Sequence, residues 1–307
     1  MQPLKASEYW KLRDQVEHPQ ELLGRTETQL SQEHGLESEL AIRVVRLLDR
    51  ATAMAFELDK LAQSGINTLT PFDEEYPERL VTQLGHRAPP LLHAAGDLSL
   101  LRRPGLGAVG SRNVSEEGAA VAKAAAERAA RLGYVLVSGG ARGVDQIAMS
   151  AAIEADGCAV GILADSLIRG LKTPDVRRAI HDERAVMCTP YRPDARFSVG
   201  SAMGRNKLIY ALSLMTLVVA SDTGKGGTWS GAVEALKQKS GRVGVWRGAG
   251  EGPGNAKLID QGAEAISSMD DLEAAVVAPN ESGNDPKAPA SDSGSAGPQP
   301  VQGKLDL

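Results

Sequence analysis

The stretch YVLVSGGARGVDQIAMSAAIEA, residues 134–155, decides the fold of this chain. Its first four residues form a short apolar run of the kind that makes a buried strand. The glycine-rich turn SGGARG follows, and apolar residues at helical spacing then predict a helix. A strand, a glycine turn and a helix start in this order point backbone N–H groups and the positive end of a helix dipole into one crevice. The stretch therefore predicts an α/β fold with an anion-binding turn.

The alternation of strand and helix continues on both sides of this stretch. Alternation of this kind is typical of a Rossmann-like, doubly wound, mostly parallel sheet with helices on both faces, whose ligands bind at the carboxyl ends of the strands. The pattern predicts strands at 66–69, 90–94, 106–109, 134–137, 158–163, 185–188, 215–219 and 243–246, and helices at 115–132, 143–156, 174–183, 203–213 and 227–239.

The rest of the chain completes the predicted domain organisation. Residues 1–70 are predicted to form a small helical domain, in which 37–61 has the best helical period. Residues 71–277 hold the Rossmann-like domain. Residues 278–307 are rich in Pro, Gly, Ser and Asp, and this composition predicts a disordered tail.

Composition argues against several classes of protein. The N-terminus lacks an apolar signal-peptide core, and no run of about 18 apolar residues exists, so we expect a cytoplasmic protein that makes no membrane contact. Two cysteines, Cys158 and Cys188, are too few for a disulfide framework. The five histidines form no metal-ligand spacing with them, so neither a metal nor a cofactor is expected.

The net charge of −5 conceals an uneven distribution. Residues 1–85 carry −6, residues 86–262 carry +7 and residues 263–307 carry −6. A basic middle between acidic ends favours a polyanionic partner for the middle of the chain. Charges spread evenly over a solvated surface are the alternative.

Two glycine patterns do not fit the motifs of nucleotide enzymes. GLGAVG at 105–110 matches the dinucleotide fingerprint by its letters, but these residues must themselves form the strand rather than follow it. The pair Gly224–Lys225 lacks the first glycine of a Walker A loop, and Gly226 stands where a hydroxyl should hold magnesium. We therefore expect that the protein has no ATPase activity and is not an enzyme.

Four loops of the basic middle contain glycine, and most also contain a cation. Three follow predicted strands and one lies at a helix start, so in an open α/β sheet they would converge on one crevice. Their N–H groups and cations then form a phosphate-binding floor, whereas each loop alone is equally well explained by tight turns and surface solubility. The predicted phosphate-binding residues are Gly110, Ser111, Arg112, Ser138, Gly139, Gly140, Arg142, Gly143, Gly204, Arg205, Asn206, Lys207, Lys225, Gly226, Gly227 and Thr228.

The order and spacing of several segments resemble the DNA-processing protein A (DprA/Smf) family over about residues 36–265. These segments are EEYPERL, APPLLHAAGDL, AVGSRNVSEEG, VLVSGGARGVDQIA, GRNKLIYALS and GNAKLIDQGA. The resemblance implies a Rossmann-like domain after a small helical domain and single-stranded DNA binding without nucleotide hydrolysis. It also implies loading of a RecA-type recombinase during uptake of transforming DNA, and homodimers.

The resemblance also assigns roles to residues. It places Arg112, Arg205 and Lys207 at the family's DNA-phosphate positions, and the glycines of the 138–143 turn at its glycine turn. Asp145 falls on the aspartate of the family's G-I-D motif, although capping of the following helix explains an aspartate there equally well. Ala148 and Met149 stand where the family has a histidine, which indicates a divergent member.

The segment GKGGTWSGAVEAL, residues 224–236, supports a second interpretation. It resembles the GGxGT loop of LOG-type phosphoribohydrolases, which need a glutamate about three residues after the threonine for acid/base chemistry. Here Gly231 occupies that position and the first glutamate is Glu234, one helical turn later. A sensor that binds a nucleotide and hydrolyses nothing is a third interpretation.

The last six residues, QGKLDL, resemble the peptide by which bacterial replication and repair proteins dock on the sliding clamp. Gln302, Leu305 and Leu307 on a tether can insert into a preformed apolar pocket. A pattern as loose as this also arises by chance. From the sequence we expect a protein of DNA processing, recombination or transformation that binds single-stranded DNA by its phosphates, with little reading of bases.

Overall fold

A nine-stranded sheet with helices on both faces forms the centre of the structure, a computed structural model that describes residues 4–278. The helices are α1 (Ala6–Gln15), α2 (Glu27–His34), α3 (Ser38–Leu48), α4 (Ala51–Gln63), α5 (Glu78–Leu84), α6 (Glu116–Arg131), α7 (Val144–Glu154), α8 (Leu167–Gly170), α9 (Pro174–His181), α10 (Val199–Leu212), α11 (Gly226–Gln238), α12 (Asn255–Asp260) and α13 (Met269–Val277). The strands are β1 (Asn67–Leu69), β2 (Leu92–Gly96), β3 (Gly105–Val109), β4 (Val135–Ser138), β5 (Ala159–Ile162), β6 (Ala185–Thr189), β7 (Met215–Val218), β8 (Arg242–Trp246) and β9 (Glu264–Ile266).

The strand order is β1-β2-β6-β5-β4-β3-β7-β8-β9. The seven strands from β6 to β9 in this order pair in parallel, and β2 pairs antiparallel with both β1 and β6. The chain builds outward from β3 through β6 and then returns to place β7 on the other side of β3. This reversal is the topological switch point at which open α/β sheets bind ligands. The predicted Rossmann-like, mostly parallel sheet is confirmed.

Both faces of the sheet are covered because the central strands are apolar on both sides. Val135 and Val137 of β4 pack in one core cluster with α5, α10 and α11, and Leu136 packs in another with α6, α7 and α13. α6 contributes a row of fully buried alanines, Ala122, Ala125, Ala126 and Ala129. Small side chains on this row let α6 lie close to the sheet and to α7, which explains how a chain with 4% aromatic residues fills its core.

The N-terminal region differs from the prediction in one respect. The helical period at 37–61 spans two helices, α3 and α4, which are separated at Asp49 and Arg50. The Arg50 N–H donates to the carbonyl of Leu47 at 3.1 Å, a bond to the third residue back that tightens the end of α3. The apolar spacing continues across the break, so the period alone could not show it.

The helical region also contacts the sheet. The indole of Trp10 in α1 is buried in the main core, and its Nε1 donates to the carbonyl of Ala88 at 2.8 Å. β1 is an edge strand of the sheet although it precedes residue 70. The division into domains at 70 and 71 stays a prediction, and the tail predicted for 278–307 lies outside the described residues except for Ala278. Within residues 4–278, none of the helices combines the length and the hydropathy needed to cross a bilayer.

Candidate functional site

The carboxyl ends of β3 and β7, at the switch point, open into a cleft of about 520 Å³. Its walls come from the loops after β3, β4 and β7 and from the first half of α10. The structure therefore brings together residues of all four glycine loops. The predicted residues that line the cleft are Gly110, Ser111, Arg112, Arg205, Asn206, Lys225, Gly226, Gly227 and Thr228.

Arg205 lies beneath the cleft rather than in solvent. Its side chain is only 7% exposed, and its Nη2 donates to the carbonyl of Gly139 at 2.9 Å. Its Nη1 donates to Oδ1 of Asn206 at 2.7 Å. Burial lowers the pKa of this guanidinium, against the opposing effect of the Asp145 carboxylate. The geometry makes Arg205 a support for the turn after β4, because both of its Nη groups donate to protein atoms.

The turn after β4 has glycines because neighbouring groups occupy the space of a side chain. A Cβ on Gly139 would lie 2.0 Å from Nη1 of Arg205, and one on Gly143 would lie 2.3 Å from the carbonyl oxygen of Ser111. Gly140 and Gly143 also have φ values of +65° and +88°, which L side chains rarely adopt. Ser138 is fully buried and donates to the carbonyl of Ala108 at 2.6 Å. Gly139, Gly143 and Ser138 thus have structural roles in holding the turn in place.

Asp145 is the acidic partner of Arg205. The two side chains are equally buried, and Oδ2 of Asp145 lies 3.9 Å from Nη2 of Arg205. Burial raises the pKa of Asp145 to about 6, although Arg205 and backbone N–H groups of the turn oppose the rise. The N-cap of α7 is Gly143, and Asp145 instead accepts a long bond of 3.4 Å from the N–H of Ala141. Asp145 therefore organises the turn before the helix and is not its N-cap.

Three side-chain bonds tie the loops of the cleft to one another. Nδ2 of Asn206 donates to the carbonyl of Gly227 at 3.0 Å, and Oγ1 of Thr228 donates to the carbonyl of Gly110 at 3.0 Å. Nη2 of Arg142 donates to Oδ1 of Asn113 at 2.7 Å. These bonds connect α10 to the last loop, the last loop to the first, and the second loop to the first. The cleft is therefore held in shape before any ligand arrives.

Two cations remain at the surface of the cleft. Arg112 is exposed, with its Cζ 5.6 Å above the ring of Phe197, and Lys225 is exposed at the N-cap of α11. The Lys225 side chain makes no capping bond to the first turn of α11. The N–H groups of that turn, which begins at Gly226, are thus open to an anion, and the helix dipole favours one there. Cations and helix-end N–H groups are the donors that a phosphate group requires.

Seven predicted residues lie outside the lining of the cleft, namely the turn residues Ser138, Gly139, Gly140 and Gly143 described above, and Arg142, Gly204 and Lys207. Nζ of Lys207 donates to the carbonyl of Arg87 at 3.0 Å, and burial lowers the pKa of its ammonium group. A Cβ on Gly204 would lie 2.5 Å from Oη of Tyr191, so this glycine serves helix packing. Arg142 is exposed beside the cleft and bonded to the first loop, as described above. The structure thus separates Lys207, as a link to the turn Gly85–Arg87, from the cations that face the cleft.

The sequence analysis missed an apolar rim on one side of the cleft. Phe197, Val199 and Met203, at the start of α10 and just before it, line the cleft and are 49%, 70% and 43% exposed. The segment FSVGSAM, directly before GRNK, could have indicated this rim. It is apolar, but it lacks the helical period of a segment that buries one face. Asp222 also lines the cleft and adds one negative charge to its wall. Within residues 4–278, no group of three or more His, Cys, Asp or Glu is placed to hold a metal ion.

Comparison with solved structures supports the fold. DNA processing protein A of Streptococcus pneumoniae superposes with a TM-score of 0.65 at 22% identity, covering 89% of this chain and 98% of that one. DNA processing protein A of Helicobacter pylori, whose structure was reported with its single-stranded DNA binding mode, gives a TM-score of 0.56 at 25% identity. That match covers 67% of this chain and 93% of the other.

Sequence comparison gives the family. The DNA processing protein DprA of Bacillus subtilis is 31% identical over 215 residues, which are 68% of this chain and 71% of the relative. A putative DNA processing protein DprA of Mycobacterium tuberculosis is 30% identical over 250 residues, 74% of this chain and 61% of the relative. The family model described as DNA recombination-mediator protein A matches residues 67–276, the sheet and the helices that surround it. This chain belongs to the DNA recombination-mediator protein A family.

Proposed function

We propose that the cleft binds the phosphates of single-stranded DNA and that the protein acts in DNA processing and recombination. The observation that carries the proposal is the convergence of Arg112, Lys225 and the open first turn of α11 on one cleft at the switch point. A backbone phosphate needs several N–H donors and cations within reach of one point, and this arrangement offers both. The H. pylori relative, whose reported structure concerns its single-stranded DNA binding mode, supports DNA as the ligand.

The apolar rim fits the rest of a nucleotide. Phe197 and Met203 line the same cleft as Lys225, so a strand with its phosphates on the loops can rest its bases on the rim. Aromatic and apolar surfaces accept any base, which suits binding without sequence preference. The guanidinium of Arg112 above the Phe197 ring joins the two surfaces.

The test is a salt titration of poly-dT binding. We expect Arg112→Ala and Lys225→Ala each to weaken binding about tenfold or more, because each removes a charged contact. Each loss should also reduce the slope of log affinity against log salt by about 0.7. Arg131→Ala, which removes an exposed arginine at the end of α6, is the matched control and should change neither quantity. Unchanged affinity and slope in Arg112→Ala/Lys225→Ala would remove the cleft from consideration as the DNA site.

A small-nucleotide sensor is the second candidate function. A cleft of about 520 Å³ lies within the size range of sites for small ligands, and that observation favours it. The sensor interpretation expects tight binding of a nucleoside monophosphate and no binding of long oligonucleotides. Calorimetric titration with poly-dT and with a panel of nucleotides separates the two functions.

Phosphoribohydrolase chemistry finds little support in this cleft. Glu234 lies near Lys207, where its charge partly offsets the lowering of the ammonium pKa by burial, and it is absent from the cleft lining. The carboxylates of the lining are Asp145, which is buried beside Arg205, and Asp222. We infer that the protein is not an enzyme of this type. Incubation with nucleoside monophosphates should release no free base.

The family supports a finer proposal about partners. We propose that the protein loads a RecA-type recombinase onto single-stranded DNA, acting as a homodimer in a cytoplasmic setting, in line with the family's description as a recombination mediator. The measurement is the lag before recombinase filaments form on DNA covered by a single-strand binding protein. The lag should shorten with the wild-type protein and should not shorten with Arg112→Ala.

The sliding clamp is a further proposed partner. Gln302, Leu305 and Leu307 lie outside the described residues, so this proposal rests on the sequence pattern alone. A peptide of the last twenty or so residues should bind the clamp, and its Gln302→Ala/Leu305→Ala version should not. Equal binding by the two peptides would end the proposal.

A further inference from the structure

Asn255 is a fully buried polar side chain at the carboxyl ends of β7 and β8, outside the lining of the cleft. Its Nδ2 donates to the carbonyl of Val219, just after β7, and to the carbonyl of Trp246, the last residue of β8, both at 2.9 Å. Its Oδ1 accepts from the N–H of Ser221 at 2.9 Å. The two donors and the acceptor of one side chain thus hold the point at which the chain leaves β7.

These three bonds require an asparagine. An aspartate would place a carboxylate oxygen against two carbonyl oxygens, and a leucine of similar size would leave three backbone groups without this partner. Asn255 does not line the cleft, so its effect on a ligand passes through the backbone that it holds.

The loop after β8, residues 247–254, packs backbone to backbone against the loop after β7, residues 219–225. They are called the β8 loop and the β7 loop below. A Cβ on Gly252 would lie 2.3 Å from the nitrogen of Ser221, so the two chains approach too closely for a side chain. The Gly254 N–H also donates to the carbonyl of Ser221 at 2.7 Å. The β8 loop and Asn255 therefore support the start of the β7 loop together.

The end of the β7 loop has less support. Oγ1 of Thr223 donates to the carbonyl of Pro253 at 2.9 Å. Beyond it, a Cβ on Gly224 or Gly226 would meet no heavy atom of the described residues within 4 Å. Lys225, between these glycines, is exposed. The place of Lys225 and of the first turn of α11 thus depends in part on how the β8 loop holds the start of the β7 loop.

We propose that Asn255 is a positioning residue, which sets through the β7 loop where Lys225 and the open first turn of α11 stand in the cleft. The proposal rests on the proposed function, because it concerns the same phosphate contacts. A phosphate receives its charged hydrogen bonds only when the donors reach one point, so a loop displaced by about 1 Å loses contacts although its cation is still present. Asn255 therefore acts without touching the DNA.

The affinity for poly-dT tests the proposal. Asn255→Leu, which changes no charge, should weaken binding about tenfold, as expected for Lys225→Ala. Thr223→Val removes only the hydroxyl bond to the β8 loop and should weaken binding about threefold.

Each variant has a matched control. Leu30→Ala removes a fully buried side chain from the helical region, so it lowers stability away from the cleft and should keep the wild-type affinity. Thr82→Val removes an exposed threonine bond within α5 and should also keep it. Circular dichroism reports whether each variant is folded. If Asn255→Leu does not fold, Thr223→Val decides, and an affinity equal to that of Thr82→Val overturns the proposal.

Double variants show whether Asn255 acts through Lys225. In the Lys225→Ala background, Asn255→Leu should weaken binding by less than about threefold, because the cation that it positions is already gone. In the Arg112→Ala background, where the missing cation belongs to another loop, Asn255→Leu should keep its effect of about tenfold. Equal effects in the two backgrounds indicate a general loss of structure and overturn the proposal.

Amide hydrogen exchange of residues 219–228, measured without DNA, separates this proposal from the proposed function. Exchange should be at least about threefold faster in Asn255→Leu than in the wild type and unchanged in Leu30→Ala. Unchanged exchange in Asn255→Leu overturns the positioning role even if the cleft binds DNA. Faster exchange, combined with full poly-dT affinity in Arg112→Ala/Lys225→Ala, refutes DNA binding in the cleft and supports the hold of Asn255 on the β7 loop.

Discussion

Replacement of Arg205 by methionine separates support of the cleft from contact with DNA. Methionine keeps much of the length of the side chain but removes the charge and both guanidinium bonds. The variant leaves Asp145 buried without the cation 3.9 Å away. Breaking a buried ion pair by removing one partner costs about 3–5 kcal/mol, so the free energy of unfolding should fall by about that amount at pH 7.5.

The pH dependence of this loss makes the prediction specific. The pKa of Asp145 is about 6 in the wild-type protein, so at pH 5 the carboxyl is mostly protonated and no longer needs a cation. The difference between the wild type and Arg205→Met should therefore be clearly smaller at pH 5 than at pH 7.5.

The assay is urea denaturation followed by circular dichroism at both pH values. Arg112→Ala is the control, because an exposed arginine costs less than about 0.5 kcal/mol when removed. That control should keep its stability and lose DNA affinity. A free energy of unfolding of Arg205→Met within about 1 kcal/mol of the wild-type value at pH 7.5 would refute the supporting role of Arg205. Equal losses at the two pH values would refute the contribution of Asp145.

Three other changes test the same site. Asp145→Asn should flatten the dependence of the free energy of unfolding on pH. In the wild type the folded protein binds the Asp145 proton more tightly than the unfolded chain does, so stability falls by about 3 kcal/mol as the pH rises from about 4 to about 6. An Asp145→Asn variant that keeps this fall would contradict the assignment. Gly139→Ala should cost about 1–3 kcal/mol in urea denaturation, because its Cβ would displace the Arg205 guanidinium, and Gly139→Ala/Arg205→Met should cost less than the two single losses together. Lys207→Met should leave the salt slope of poly-dT binding unchanged while Arg112→Ala lowers it by about 0.7, and equal slopes in the two variants would place Lys207 among the phosphate contacts.

The sheet was predictable from the sequence because local pattern and tertiary role agree. Strands buried on both faces are continuous apolar runs, so each central strand stood out within one or two residues of its observed bounds. The edge strand β9 was missed because a strand of three residues with one buried position, Ile266, leaves no period to detect. The break between α3 and α4 was missed because the apolar spacing continues through it.

The convergence of the loops on one cleft was predictable, but the roles of their residues were not. Glycine and cations after parallel strands indicate where a phosphate binds, and the loops do meet at one cleft. The sequence does not say whether an arginine side chain is buried: Arg205 is buried and Arg112 is exposed. The burial of Arg205 depends on Gly139, which follows β4 and is more than sixty residues away in the chain.

The place of β3 between β4 and β7 also sets an order of events during synthesis. Among the strands that carry the loops of the cleft, β3 and β4 are synthesised first, and their pairing places the first two loops. The opposite wall needs β7 and the start of α11, which are made only after the whole of β5, β6 and α10. A nascent chain that ends before Thr228 thus lacks the bond that joins the last loop to Gly110. The cleft is completed late, when most of the sheet is already assembled. Under the proposed function, ribosome-bound chains should acquire affinity for DNA in one step rather than gradually.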